Sequence, residues 1–137
     1  MVVLPDADLD LAADSAINAG FGSAGERCMA ISMLVAVEPV ADQLIAKIKE
    51  RMAKIKTGDG TQGADMGPLV TKVHRDKVAS YIDAGVKEGA TLVVDGRTVN
   101  PGGEGFWLGP TLFDNVTTKM SIYNEEIFGP EIGRAHV

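Results

Sequence analysis

The sequence predicts a layered α/β fold, and three observations carry that prediction. Short apolar runs rich in Val and Ile stand at residues 1–4, 31–37 and 91–94, with the continuous character of buried strands. Longer stretches between them repeat apolar residues at i, i+3 and i+4, the period of a helix packed on one side. The two kinds of segment alternate, which is the order of an α/β protein. The 137 residues suffice for one domain that buries about two-thirds of its unfolded surface.

Each element has its own signals. Residues 1–4 read as the end of a strand stopped by Pro5. Asp6 or Asp8 then caps a helix with acidic charge in its first turn. Leu9, Ala12, Ala13, Ala16, Ile17 and Gly20 form its core stripe, and the small residues there predict close approach to a neighbour. A glycine-rich loop follows, then a buried strand within residues 31–37. Pro39 is placed at the first position of the next helix. Ala41, Leu44, Ile45, Ile48, Met52 and Ile55 make that helix's apolar face, and lysines toward its C-terminal half complement its dipole. Residues 57–63 are an exposed loop. Thr71 caps a third helix, with Val78, Tyr81, Ile82, Gly85 and Val86 on one face, and Gly89 ends it. Thr91–Val94 is a strand, residues 99–105 a loop, and residues 106–116 one or two extended pieces broken at Gly109-Pro110.

Composition excludes several roles. A net charge of −6 without a basic stripe argues against nucleic acid or an anionic membrane surface as partner. The longest apolar run, residues 29–37, includes Ser32 and falls well short of the ~20 residues that span a bilayer. The N-terminus lacks the basic region of a signal peptide. A single cysteine allows no intrachain disulfide and suits a reducing compartment.

That cysteine is the chemical focus. Gly20-Phe-Gly-Ser-Ala-Gly-Glu-Arg-Cys-Met-Ala30 surrounds Cys28 with glycines, which let backbone approach a ligand, and sets Arg27 beside it. A cation, or the amides of a helix beginning near Cys28, would favour the thiolate. The other reading is a small buried hydrophobe before an apolar run. No His adjoins it in sequence.

Gly25-Glu-Arg-Cys-Met-Ala30 resembles the catalytic-cysteine motif of the aldehyde dehydrogenase superfamily. Glu125-Glu-Ile-Phe-Gly-Pro130 resembles its second signature, and the separation of the two also fits. Arg27 before the cysteine, with Met-Ala-Ile-Ser after it, most resembles the methylmalonate-semialdehyde dehydrogenase branch, which is CoA-acylating. The resemblance runs through residues 1–130 and covers only part of a family member.

It implies a partial catalytic domain over residues 1–130, layered α/β/α with a mostly parallel sheet. It implies NAD as cofactor, CoA as co-substrate, a homotetramer, and a cytoplasmic enzyme in bacteria or a matrix enzyme in mitochondria. Cys28 would attack a semialdehyde and carry the acyl group as a thioester, with its backbone N–H as one oxyanion donor. Arg27 would grip the substrate's carboxylate through its planar fork, or act on Cys28 by charge, or simply pair with Glu26 or a nearby Asp. Glu126 would accept hydrogen bonds from the nicotinamide ribose and Phe128 would pack near the nicotinamide ring. Without the resemblance, Glu125 and Glu126 read as a solvated acidic pair and Phe128 as core.

Two alternatives stand beside it: a non-acylating aldehyde dehydrogenase, and a non-catalytic relative with a structural cysteine. The family's oxyanion asparagine and its water-activating glutamate would separate the three, and both positions precede Met1. Gly58-Asp-Gly60 has no phosphate-loop context, and Asp65, His74 and Asp76 lack metal-ligand spacing, so no metal is expected.

Residues 131–137 depart from the family, where a hydrophobic strand is expected. Back-translated as GAG ATC GGA AGA GCA CAC GTC, they match the start of a common sequencing-library adapter apart from its first base. A non-native tail is therefore expected there, with the strand missing and the chain alone inactive.

Overall fold

The computed structural model describes residues 1–136, with side chains through Ala135. Its strands are β1 Val2–Val3, β2 Met33–Ala36, β3 Thr91–Val94, β4 Thr111–Val116 and β5 Glu131–His136. They form one five-stranded sheet in the order β1-β2-β5-β4-β3, parallel except where β3 meets β4. The helices are α1 Leu9–Phe21, α2 Ala41–Met52, α3 Lys72–Glu88 and the short α4 Ser121–Asn124, which the sequence reading did not foresee.

Register shows which helices lie on which face. Leu112 pairs with Ile132, and Phe113 with Gly133, so successive residues point to opposite sides. Ile132 meets α1: a Cβ on Gly20 would lie 2.2 Å from its Cδ1. The Phe113 ring meets α3, since a Cβ on Gly85 would lie 2.9 Å from its Cζ. The close approach predicted from the small residues of α1 is thus onto β5. α2 packs on α1, clipped by Lys47–Asp10 at 2.7 Å, Arg51–Asp10 at 2.9 Å and Arg51–Asp14. α4 joins α3, where Glu88 accepts from the Ser121 N–H at 2.7 Å. The result is α/β/α, as expected. Full burial of Leu112, Phe113 and Ile132 stabilises it by about 1.5–3 kcal/mol each.

Several boundaries sharpen or correct the expectations. Asp8, not Asp6, caps α1, accepting from the Asp10 and Leu11 N–H groups. Thr71 caps α3 and Gly89 ends it at φ 99°, both as expected. Pro39 lies in the turn before α2, whose cap is Val40, so it does not occupy the first helical position. Val86 faces solvent, because α3 turns Val78, Ile82 and Gly85 to the core.

The largest correction concerns residues 131–136. The expected missing strand is present as β5, between β2 and β4. Pairing needs only backbone groups, and Ile132 and Ala135 supply buried apolar side chains. Its charged residues are the oddity. Glu131 is 3% exposed and Arg134 1% exposed, the latter ion-paired with Asp114. Val137, the end of the expected tail, lies outside the described residues.

Candidate active site

α1 ends in a left-handed turn. Ser23, Ala24 and Gly25 have φ of 52°, 54° and 72°, a run that L residues rarely adopt and that reverses the chain sharply. The Glu26 N–H donates to the Ser23 carbonyl at 3.0 Å, and the Ile31 N–H to the Ala19 carbonyl at 3.1 Å, so both ends of the loop are tied down. The Ala30 N–H closes a tight turn on the Arg27 carbonyl at 3.1 Å, which puts Cys28 at its first corner. No helix begins there. The expected helix amides are replaced by a turn that runs into β2, because the residues after Cys28 are drawn into the sheet. Cys28 is exposed, which removes the buried-hydrophobe reading.

Arg27 does not pair with Glu26. Its guanidinium folds over the end of α1 and donates to the Asn18 carbonyl at 3.5 Å, where a cation complements the helix dipole. Glu26 instead turns toward His74 on α3, with 3.6 Å between Oε1 and Nε2.

The second motif, residues 125–130, leads into β5. Its glutamates part company. Glu125 accepts from the Tyr81 hydroxyl at 2.6 Å, and that bond raises the Tyr81 pKa. Glu126 is exposed, as an acceptor for a ligand's hydroxyls should be. Phe128 has a positive φ of 55° and is 37% exposed, so the core reading of this residue fails.

The motifs meet because glycines let them. A Cβ on Gly25 would lie 2.1 Å from the Gly129 carbonyl oxygen, and one on Gly129 would lie 2.6 Å from Val78 Cγ1. Backbone therefore packs on backbone, with α3 behind. The junction opens into a cleft of about 80 Å³ lined by Arg27, Cys28, Ser32, Glu126, Ile127 and Phe128 among others. All four residues singled out from sequence lie on this one cleft. A larger hollow of about 430 Å³ lies between the loops around residues 58 and 102 and holds no cysteine. Among the described residues, no group of three or more His, Cys, Asp or Glu could hold a metal. No helix among them is long and apolar enough to cross a membrane.

Sequence reasoning missed His74 and Tyr81. They share a face of α3 with Val78 at i, i+4 and i+7 spacing, which is a readable signal. What that face touches is not readable.

An exposed thiol, a guanidinium, a carboxylate and an exposed aromatic ring on one cleft suit covalent catalysis on a small anionic carbonyl compound. Residues 1–132 match the model of the aldehyde dehydrogenase family. The malonate-semialdehyde dehydrogenase of Pseudomonas aeruginosa is 56% identical over 133 residues, covering 94% of this chain and 27% of that protein. That of Halalkalibacterium halodurans is 49% identical over 137 residues, covering 99% and 28%. A structure assigned as the methylmalonate-semialdehyde dehydrogenase of Sinorhizobium meliloti 1021, complexed with NAD, superposes with a TM-score of 0.97 at 48% identity, over 100% of this chain and 29% of that one. The chain thus spans just over a quarter of the length of these relatives.

Proposed function

The chain belongs to the aldehyde dehydrogenase family, and from that premise we propose that it is the cysteine-bearing segment of an NAD-dependent, CoA-acylating malonate- or methylmalonate-semialdehyde dehydrogenase. One observation carries the proposal: Arg27 and Cys28 share a cleft with Glu126 and Phe128. The exposed Glu126 carboxylate and the exposed Phe128 ring fit the ribose and the flat ring of a nicotinamide nucleoside.

The Cys28 thiolate adds to the aldehyde carbon and makes a C–S bond. The carbonyl oxygen becomes an alkoxide, steadied by the Cys28 backbone N–H. NAD, when bound, supplies the acceptor for the hydride that turns this adduct into a thioester. Attack by the CoA thiolate then expels the Cys28 thiolate and gives an acyl-CoA. When the substrate is methylmalonate semialdehyde CO2 is lost as well, the electron pair of the broken C–C bond passing to the α-carbon, which takes a proton from water. Arg27 holds the substrate's carboxylate so that the aldehyde faces sulfur. The complete enzyme is proposed to be a homo-oligomer of the bacterial cytoplasm, in keeping with relatives from bacteria. Residues 1–130 are read as the family's catalytic domain in part. Residues 131–137 are read as an adapter-derived tail, a reading supported by the burial of Glu131 and Arg134 in a central strand. Sequencing the source locus with a different library tests it: a natural codon run through Val137 defeats it.

The chemistry is tested in the complete enzyme. Iodoacetamide should alkylate Cys28 and abolish turnover, and Cys28→Ser should be inactive. The product in the presence of CoA should be the acyl-CoA. Full activity of Cys28→Ser would sink the assignment, and a free acid as sole product would make the enzyme hydrolytic.

A further inference from the structure

His74 belongs to neither motif, yet it touches both. It stands in the first turn of α3, where Thr71 Oγ1 accepts from its backbone N–H at 3.2 Å. Its Nε2 lies 2.7 Å from the Phe128 carbonyl oxygen and 3.6 Å from Glu26 Oε1. A carbonyl only accepts, so Nε2 carries the hydrogen and donates it to Phe128. The imidazole also meets the Phe128 ring edge-on, with centroids 6.3 Å apart at 62°.

Phe128 needs such a restraint. Its φ of 55° is unfavourable for a bulky residue and persists only where the surroundings over-determine it. One turn further along α3, Val78 presses on Gly129, and Gly129 in turn lies against Gly25. His74 and Val78 are i and i+4 on one helix face, so α3 acts as a two-point clamp on residues 128–129. Glu126, two residues before Phe128, is carried by the same backbone.

We propose that His74 is a positioning residue: its Nε2–H fixes the Phe128 carbonyl, and through it the attitude of Phe128 and Glu126 toward the nicotinamide end of NAD, in register with the Cys28 loop. The inference rests on the functional reading above and deepens it. His74 need not touch either substrate.

The test uses the complete enzyme with His74→Leu, His74→Phe and His74→Gln, beside Cys28→Ser. Phe keeps a ring against Phe128 but removes the donor, and Gln restores an N–H at a similar reach. NAD affinity is measured by titration calorimetry, and KM is measured separately for NAD and for the semialdehyde. Loss of one hydrogen bond should weaken NAD binding roughly three- to tenfold in the Leu and Phe variants and leave the semialdehyde KM nearly unchanged. Gln should recover most of the affinity. If Leu fails to fold, the comparison of Phe with Gln decides. Equal NAD affinity in Phe, Gln and the parent, with Cys28→Ser inactive, would overturn the His74 inference alone. Activity retained in Cys28→Ser would overturn the catalytic reading, while the binding series would still judge His74.

Discussion

Arg27 is held loosely, and that is what its proposed task requires. Its bond to the Asn18 carbonyl is long, at 3.5 Å, and exposed, so a substrate carboxylate could replace it with little loss. A charge-assisted bond to a carboxylate is worth about 1.5–3 kcal/mol. Arg27→Leu in the complete enzyme should therefore raise KM for the carboxylated semialdehyde roughly 10–150-fold and barely affect propanal. An equal effect on both aldehydes would point to packing or to a general action on Cys28. At this scale the sequence was legible wherever a motif named the residue: Cys28, Arg27, Glu126 and Phe128 all reach one cleft. It was silent on what separates Glu125 from Glu126, because that depends on Tyr81, 44 positions away. It was silent on His74 for the same reason: its partner, Phe128, is 54 positions away.

The elements were read well where a local signal ends them. Asp8, Thr71 and Gly89 terminate helices by side-chain bonds or by left-handed backbone, which residue type announces. The misreadings came where tertiary pairing decides. The strand expected within residues 31–37 is there as β2, but the chain reaches it from Cys28 through a turn and not a helix, and β5 forms from a segment with too little apolar character to be recognised. That strand holds the chain's most unusual group. Burial pushes the Glu131 carboxyl up from its ordinary 4.5 to about 8. In the unfolded chain it ionises near 4.5, while in the fold it keeps its proton until about 8. The unfolded state therefore binds fewer protons between those values, and stability falls as pH rises across that window. The whole loss is on the order of 3–5 kcal/mol, a large share of a small domain's stability. Urea unfolding of this chain at pH 5 and pH 8 should show it, and Glu131→Val should remove most of the difference. The same pH dependence in both proteins would refute it.

At the scale of the molecule, alternation of apolar runs and amphipathic stretches was enough to give a layered α/β fold with three of its helices, while the short α4 that joins α3 on one face was not legible. Strand order was not legible. β5 is last in the chain and central in the sheet, and only the long-range pairing with β2 and β4 reveals it. The same assembly bounds what this chain can do by itself. It brings Cys28, Arg27, Glu126 and Phe128 together, but the cleft they line holds about 80 Å³, far less than the hundreds of Å³ typical of ligand sites. The chain spans 27–29% of relatives whose remaining residues are available to complete such a site. On the proposed mechanism the Cys28 N–H would be one oxyanion donor, and loss of a single companion donor typically lowers kcat by about 10²–10³. Exposed Val2, Leu4, Leu11, Val70 and Val73, together with the short edge strand β1, leave apolar surface and unpaired backbone open to association. The 137-residue chain should therefore form no NADH from semialdehyde, NAD and CoA, and should tend to aggregate on purification. The presence of β5 removes one reason for expecting this, the missing strand. NADH absorbance and light scattering on the purified chain are the measurements. Turnover by a soluble monomer, lost on Cys28→Ala, would show that these residues are a sufficient active site.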